Sequence, residues 1–377
     1  MVSHGSLAGR LGWFAFGIFL STGMCCSSVW GQYSPPSPPP ADLKPGYDSM
    51  TIEQAQEWLG ILAGPKFEGR GTGQPGYAKA AHWVAGKLAE FGLEPIGNNG
   101  TYFQMLPMKR RMPILEECFI SGPEGLKIDA VGNMGFERYS DAQELTGPVV
   151  FINFTGSDTR LPKGTELRDK LVFYVADAAA SRSAAMQIAR QRASGAIRVI
   201  KEEPKSITQL VRQGVPNRVT GISGTIKVEA AKSLIRGLGG KPRWINPAEK
   251  PGVVIYQPEE TKEGAPQEIS IRMRYREEQA AVPNVVAWLE GSDPDLKNEY
   301  VVLGSHLDHL GIRGGQVYPG ADDNGSGSTA VLSIAKAFAL NPVRPKRSVL
   351  FIWFAAEEIG LVGSKHYCDN PTKPLED

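Results

Sequence analysis

Three polar clusters near the end of the chain carry the residue types of metal chemistry. They are HLDH at 306–309, DDNGSG at 322–327, and the pair Glu357-Glu358. Neutral imidazole combined with carboxylate is the ligand set of zinc and neighbouring divalent metals. Each cluster alone is weak evidence, because HxD is usually a surface loop and paired glutamates are usually solvated or cap a helix. Together they predict a metal site, since two carboxylates ending an apolar strand are costly to bury without a cation.

The segments around these clusters have the pattern of an α/β sheet. Pro283–Trp288, Glu299–Gly304 and Ser348–Ala355 are continuous apolar runs of strand length, which is typical of strands covered on both faces. Ser328–Leu340 has helical periodicity, with a buried side formed by Val331, Leu332, Ala335, Phe338 and Ala339. The order strand, helix, strand predicts a right-handed parallel unit. The clusters then follow the carboxyl ends of strands, where open α/β sheets bind ligands.

The segment before this sheet contains two further predicted helices. Thr51 caps a helix that runs from Glu53 to Leu62, and a glycine-rich loop follows at 68–73. The second helix spans Tyr77–Phe91 and ends at Gly92.

Between residues 107 and 281 the sequence changes to short strands with one or two helices. Pro148–Phe154, Lys170–Ala176 and Ile197–Lys201 read as strands, and Ala180–Ala193 reads as a helix. We interpret this stretch as a second α/β domain inserted into the first, because the segments on either side make better sense together than apart.

The N-terminus has the pattern of an export signal. Arg10, the apolar run Leu11–Leu20 and a cleavage site after Gly31 predict a signal peptide at 1–31. The alternative is a membrane anchor, but the apolar run falls short of a bilayer span. We therefore expect a secreted or periplasmic protein without stable membrane insertion, preceded by a proline-rich extended linker at 32–47.

Composition limits the partners and the redox chemistry. With 41 Lys and Arg against 40 Asp and Glu, no basic field exists that would hold nucleic acid. After cleavage only Cys118 and Cys368 remain, and they can form a disulfide or stay as two thiols.

The motifs resemble those of the M28 zinc peptidases. The similar stretches are NEYVVLGSHLDHLG, PGADDNGSGSTAVL and RSVLFIWFAAEEIGLVGSKHY, with EGRGTGQPGYAKAAHWVAGKLAEFGLEP upstream. The resemblance implies a zinc-aminopeptidase-like three-layer α/β/α core with a mixed, largely parallel sheet. The insert resembles a protease-associated (PA) domain. The implied organisation is a signal peptide (1–31), linker (32–47), N-terminal peptidase part (48–106), PA-like insert (107–281) and metal-binding core (282–377).

The resemblance also implies roles for individual residues. His306 would bind one zinc, Asp323 rather than Asp322 would bridge two zincs, and Glu358 would bind the other. Glu357 would be the general base, and Asp308 would hydrogen-bond His306 and fix its tautomer. A cis peptide after Asp323 is a further feature of the family. The implied activity is that of a metal-dependent exopeptidase, an aminopeptidase acting on peptides or proteins with two zinc ions.

Two alternatives remain open at this stage. The M28 family has two further metal ligands downstream, an acidic residue and a histidine, and this sequence shows no counterpart of either. We therefore expect the chain to be a fragment or a degenerate member of the family. We also expect its central sheet to end at the Ser348–Ala355 strand. Of the other histidines, His309 is a ligand candidate that we interpret as a neighbour in the loop, His82 is interpreted as a surface residue, and His366 as a structural residue. The alternative functions are a non-catalytic exported binding or receptor module and a glutaminyl-cyclase-like acyltransferase. The intact His306, Asp308, Asp323, Glu357 and Glu358 favour the peptidase.

Overall fold

The computed structural model describes residues 37–155, 160–214, 221–241, 252–258, 260, 266–313 and 316–374. The predicted signal peptide lies outside these ranges. The helices are α1 (Lys44–Asp48), α2 (Ile52–Leu62), α3 (Pro75–Glu90), α4 (Ala178–Arg190), α5 (Val228–Gly237), α6 (Gly327–Leu340) and α7 (Val362–Asp369).

The strands fall into two regions of the sequence. Those of the first 155 residues are β1 (Glu94–Pro95), β2 (Phe103–Met105), β3 (Met108–Pro113), β4 (Phe119–Ser121), β5 (Lys127–Asp129), β6 (Met134–Arg138) and β7 (Glu144–Thr155). Those that follow are β8 (Leu171–Val175), β9 (Gly195–Ile200), β10 (Gln209–Arg212), β11 (Ile222–Lys227), β12 (Gly252–Tyr256), β13 (Glu268–Arg272), β14 (Tyr275–Ala280), β15 (Pro283–Leu289), β16 (Tyr300–His306), β17 (Gly311–Arg313), β18 (Gln316–Tyr318) and β19 (Ser348–Phe354).

A mixed sheet with helices on both faces carries the predicted metal-binding segments. Its strand order is β1-β15-β19-β16, and β2 also pairs with β15. One face packs against α2, α3 and α6 through a core that includes Trp58, Val84, Leu332 and Trp353. The opposite face packs against α7 through Tyr367. The predicted α/β/α layering is therefore confirmed.

The expectation that this sheet is largely parallel is wrong for the described strands. β16 and β19 are parallel, whereas β1, β2 and β19 all pair with β15 in antiparallel fashion. A parallel neighbour needs a crossover connection, usually a helix. α6 supplies that crossover between β16 and β19, but the chain passes from β15 to β16 through turns at 290–299.

The position of the sheet edge also differs from expectation. β19 lies between β15 and β16, so the sheet does not end at Ser348–Phe354. Among the described strands β16 forms the edge, and Val301 and Val302 on it are exposed.

A second sheet of nine strands forms from residues inside the predicted insert. Its central strands β7, β8, β9 and β11 are parallel neighbours. Two hydrophobic clusters cover its faces, one including Ala184 and Ile188 of α4 and the other including Leu234 and Ile235 of α5. The strands that enter and leave this region, β3 and β14, pair with each other from Met108↔Ala280 onward.

The start of the folded chain differs from the predicted linker. Residues 44–48 form α1 instead of an extended spacer, and Gly46 is buried. Asn341, just after α6, accepts a hydrogen bond from the Gly46 N–H and donates to the Asp42 carbonyl. The segment from Asp42 is thus packed on α6 because its backbone groups find partners there.

Two smaller expectations are settled by the fold. Thr51 caps α2 by accepting a hydrogen bond from the Gln54 N–H. Cys118 is buried, Cys368 is exposed, and both are free thiols, so the two do not form a disulfide. Among the residues described, none of the helices combines the length and apolarity needed to cross a membrane.

Candidate metal centre

Three loops meet at the carboxyl end of the parallel pair β16 and β19. His306 and Phe354 are register partners at the ends of these strands, and the Leu307 N–H donates to the Phe354 carbonyl at 2.8 Å. The turn at 321–326 leads into α6, whose Ser328 hydroxyl donates to the His306 carbonyl at 2.9 Å. The three sequence clusters are therefore neighbours in space.

Asp323 is the residue that links the two histidines. Its Oδ1 lies 3.1 Å from His306 Nε2, and its Oδ2 lies 3.8 Å from His309 Nδ1. His309 Nδ1 is in turn 2.7 Å from Glu358 Oε1. His309, Asp323 and Glu358 can offer one ligand atom each within 4.8 Å of one another. Asp323 thus presents one oxygen to each of two ligand groups.

The peptide bond from Asp323 to Asn324 is cis, as the resemblance implies. The carboxylate of Asp322 takes part in none of these contacts within the described ranges. The neighbouring Ser326 hydroxyl donates only to the Asp322 backbone carbonyl.

The site is closed at one side and open at the other. The side chains of His309 and Glu358 are 11% and 16% exposed, whereas Asp323 is 63% exposed. Glu357 is more exposed than Glu358, and its Oε2 lies 4.0 Å from His306 Nε2. A ligand from solvent therefore reaches the cluster on the side of Asp323 and Glu357.

Asp308 does not make the hydrogen bond predicted for it. Its carboxylate is 3.9 Å from His306 Nδ1, and it accepts instead from the Thr72 hydroxyl at 2.7 Å. It also accepts from the backbone N–H groups of Glu357 and Glu358 at 3.0 and 3.3 Å. The carboxylate is fully buried, and burial raises its pKa, while these three donors act in the opposite direction. Asp308 therefore holds the turn that carries the two glutamates.

The tautomer of His306 is set by a backbone group. His306 Nδ1 lies 3.0 Å from the Asp308 carbonyl, which can only accept, so Nδ1 carries the hydrogen. In the neutral imidazole Nε2 then keeps its lone pair, and this atom lies 3.1 Å from Asp323 Oδ1. This is the form in which imidazole binds a metal.

Two residues of the site were not predicted from the sequence. His309 was interpreted as a loop neighbour, yet it faces both Asp323 and Glu358. Arg70 lies fully buried behind the cluster, where its guanidinium donates to four backbone carbonyls. His82 is exposed on α3, and His366 is half-buried on α7. Neither of these two contacts the cluster.

Unsatisfied buried atoms test whether the cluster suits a cation. Within the described residues, His309 Nδ1 and Glu358 Oε1 are both buried and make no hydrogen bond, although they face each other at 2.7 Å. Buried polar atoms normally have partners, and two lone-pair atoms directed at one point are the usual surroundings of a metal or a shared proton. With imidazole and carboxylate donors, the residues fit zinc.

Comparison with known proteins finds relatives of the segment that carries this site. Residues 284–376 match the profile of peptidase family M28. Leupeptin-inactivating enzyme 1 of Streptomyces exfoliatus is 42% identical over 87 residues, which are 23% of this chain and 18% of that protein. An aminopeptidase of Pseudomonas aeruginosa is 45% identical over 91 residues, 23% of this chain and 14% of that protein. The chain thus matches less than a fifth of the length of these relatives.

Solved structures are similar over more of the chain but at lower identity. The zinc aminopeptidase BSAP from Bacillus subtilis has a TM-score of 0.43 and 18% identity, covering 85% of this chain and 65% of that one. An aminopeptidase from Aneurinibacillus sp. strain AM-1 has a TM-score of 0.42 and 18% identity, covering 87% and 68%. Residues 284–376, which match the profile of peptidase family M28, contain all the clusters from His306 to Glu358. The candidate metal centre therefore lies in the part of the chain that is similar to this family.

Proposed function

We propose that this protein is a zinc-dependent exopeptidase, an aminopeptidase that uses two zinc ions with Glu357 as general base. The observation that carries the proposal is the placement of Asp323. One of its oxygens lies 3.1 Å from His306 Nε2, and the other lies 3.8 Å from His309 Nδ1, which is itself 2.7 Å from Glu358 Oε1. A carboxylate presented to two ligand groups is the arrangement a bridging ligand requires.

The residues divide into two ligand groups. His306 Nε2 and Asp323 Oδ1 would hold one ion, and Asp323 Oδ2, Glu358 and His309 would hold the other. When bound, zinc lowers the pKa of a water molecule and polarises the scissile carbonyl. The open side at Asp323 leaves room for the substrate amide.

Glu357 has the position expected of a proton carrier. Its backbone N–H is fixed by Asp308 at 3.0 Å, while its carboxylate is half-buried and directed toward the solvent side of the site. A carboxylate in this place accepts the proton of the attacking water and passes it to the leaving amine. Glu358, on the same turn but more buried, is held beside His309 instead.

The substrate class and location are part of the proposal. A peptidase core implies peptides or proteins as substrates, and the export pattern at 1–31 supports action outside the cytoplasm. The region 107–281, with its own nine-stranded sheet and paired entry and exit strands, supports a protease-associated insert.

Hydrolysis of aminoacyl-nitroanilides with added zinc tests the activity. We expect zinc-dependent release of nitroaniline that is abolished by a chelator and restored by zinc. The matched control is Glu357→Gln, which keeps the proposed ligands. Hydrolysis that survives both chelation and this substitution would contradict the proposal.

A further inference from the structure

Arg70 forms an unusual set of hydrogen bonds beneath the metal centre. Its side chain is fully buried. Nε donates to the Leu307 carbonyl at 2.9 Å, and Nη1 donates to the Leu62 and Pro319 carbonyls at 2.6 and 2.8 Å. Nη2 donates to the Gly320 carbonyl at 2.7 Å. In the ranges described, no carboxylate forms an ion pair with it.

These carbonyls belong to the loops that carry the ligands. Leu307 lies between His306 and Asp308, and Pro319-Gly320 directly precede the turn that carries Asp323. The backbone carbonyl of Arg70 also accepts from the His309 N–H at 3.1 Å. One residue thus joins the histidine loop, the aspartate turn and the end of α2.

The packing around this connection leaves little room for the turn to move. Gly320 has a φ of +59°, and a side chain there would overlap the His309 ring. Gly69 has a φ of +69°, and a side chain there would overlap the Tyr318 carbonyl. A shift of the 319–320 backbone would therefore displace His309 as well as Asp323.

Only arginine fits the demands of this position. The guanidinium has five N–H donors in a rigid plane, whereas a lysine ammonium is a compact charge with three. Burying a cation away from contact with a carboxylate is costly. Burial lowers the pKa of Arg70 to about 10, and the nearby charges of Asp308 and Asp323 oppose this shift. The buried Arg70 guanidinium bonds four backbone carbonyls despite its desolvation cost, and this indicates that it fixes the positions of those carbonyls.

We propose that Arg70 is a positioning residue for the metal centre: it sets the separation between the His306–His309 loop and the Asp323 turn, and thereby the affinity for zinc. This inference rests on the proposed function. Arg70 itself touches neither metal nor substrate, and it acts through the backbone of the ligand loops.

The test compares Arg70→Lys and Arg70→Met with the same substitutions at Arg111. Arg111 is a second buried arginine, on β3, and it pairs with Glu277 and Asp141. Zinc affinity is measured by competition with a chromogenic chelator, and thermal unfolding is measured on the zinc-free protein. We expect both Arg70 variants to bind zinc about 10–100-fold more weakly, as is typical when a partner of a metal ligand is removed. The Arg111 variants should bind zinc as the unaltered protein does.

Kinetics at saturating zinc separate positioning from a general loss of fold. We expect kcat to fall in Arg70→Lys while KM changes by no more than about twofold, because the substrate contacts remain. Unchanged zinc affinity in a folded Arg70→Lys protein would overturn the inference. The inference would also be overturned if both Arg70 variants were unfolded without zinc while both Arg111 variants were folded, because Arg70 would then be needed for folding in general. Failure of the unaltered protein to bind zinc would instead contradict the proposed function.

Discussion

At the scale of single residues, the candidate site depends on how the side chains divide their contacts. Asp323 offers its two oxygens to different histidines, and Asp308 uses its carboxylate to hold the backbone of the glutamate turn. The adjacent glutamates therefore have different surroundings. Glu357 is directed toward solvent, whereas Glu358 faces His309.

Glu357→Gln and Glu358→Gln are predicted to have different effects. Glu357→Gln removes the proposed base and leaves the proposed ligands, so hydrolysis should fall by about 10²–10⁴-fold while zinc is retained. Glu358→Gln removes a proposed ligand, so zinc affinity should fall together with activity. Metal content by plasma mass spectrometry and nitroanilide turnover measure the two effects. Reversed phenotypes would show that base and ligand are wrongly assigned.

His309→Gln should weaken zinc binding. Its Nδ1 and the Glu358 carboxylate face each other without a hydrogen bond, so removal of the imidazole takes away one donor of the second ligand group. We expect about tenfold weaker binding in a chelator competition, by analogy with the loss of other groups at metal sites. The exposed His82→Gln is the control. Equal affinity in both variants would make His309 a neighbour of the site only.

The candidate ligand residues could be selected from the sequence, but the contacts that surround them could not. His306, Asp323 and Glu358 stand out because polar residues follow apolar strands, and this pattern is local. Arg70 is 237 residues from Leu307 along the chain, and no local pattern reveals a contact of that separation. Asp308 was assigned to His306 on the basis of the family resemblance. Its actual partners come from Thr72 and from the turn after β19.

At the scale of elements, the strand, helix and strand around the site were predicted with small errors in their ends. β16, α6 and β19 form the parallel unit because α6 supplies the crossover. The antiparallel direction of β15 was missed. Its continuous apolar sequence reflects burial on both faces and carries no information about strand direction.

Asp308→Asn should loosen the glutamate turn. An amide NH₂ in place of Oδ1 would face the Glu357 N–H, and in place of Oδ2 it would face the Glu358 N–H and the Thr72 hydroxyl, so a buried donor loses its acceptor in either orientation. We expect a loss of about 1–3 kcal/mol in the free energy of unfolding by urea, and reduced hydrolysis.

Thr72→Val is the milder companion to this change, since it removes one donor to Asp308. It should cost about 1 kcal/mol and leave the two backbone hydrogen bonds in place. An Asp308→Asn protein that is as stable and as active as the unaltered protein would contradict the role assigned to Asp308.

Asn341→Ala should release the segment that begins at Asp42. The Asn341 side chain bonds the Gly46 N–H and the carbonyls of Asp42 and Val343, so its loss leaves these groups unpaired. We expect about 1–3 kcal/mol lower stability in urea unfolding. Asn370→Ala is the control, because among the described residues that side chain hydrogen-bonds only to His366, in the last turn of the helix that Asn370 follows. Equal effects of the two substitutions would show that α1 is not held in this way.

At the scale of the whole molecule, two layered units share one chain. The nine-stranded sheet takes its strands from residues 119–272, while the sheet of the metal centre takes strands from both sides of that region. β3 and β14 pair where the chain passes between them. The change in sequence composition near residues 107 and 281 falls close to these two strands, and the inserted domain at 107–281 stays a prediction. The helix at 44–48 was missed because the proline-rich composition around it favours extended structure.

The central claim is that His306, Asp323 and Glu358 hold zinc, with Asp323 between two ions. The most direct measurement is anomalous diffraction at the zinc absorption edge from crystals of this protein grown with zinc. The account predicts two peaks, one about 2.0–2.2 Å from His306 Nε2 and an Asp323 oxygen, the other at similar distances from the second Asp323 oxygen and Glu358. A single peak would remove the bridging role of Asp323. The absence of any peak at these residues, or a peak only at a distant group such as His366 and Asp369, would contradict the account.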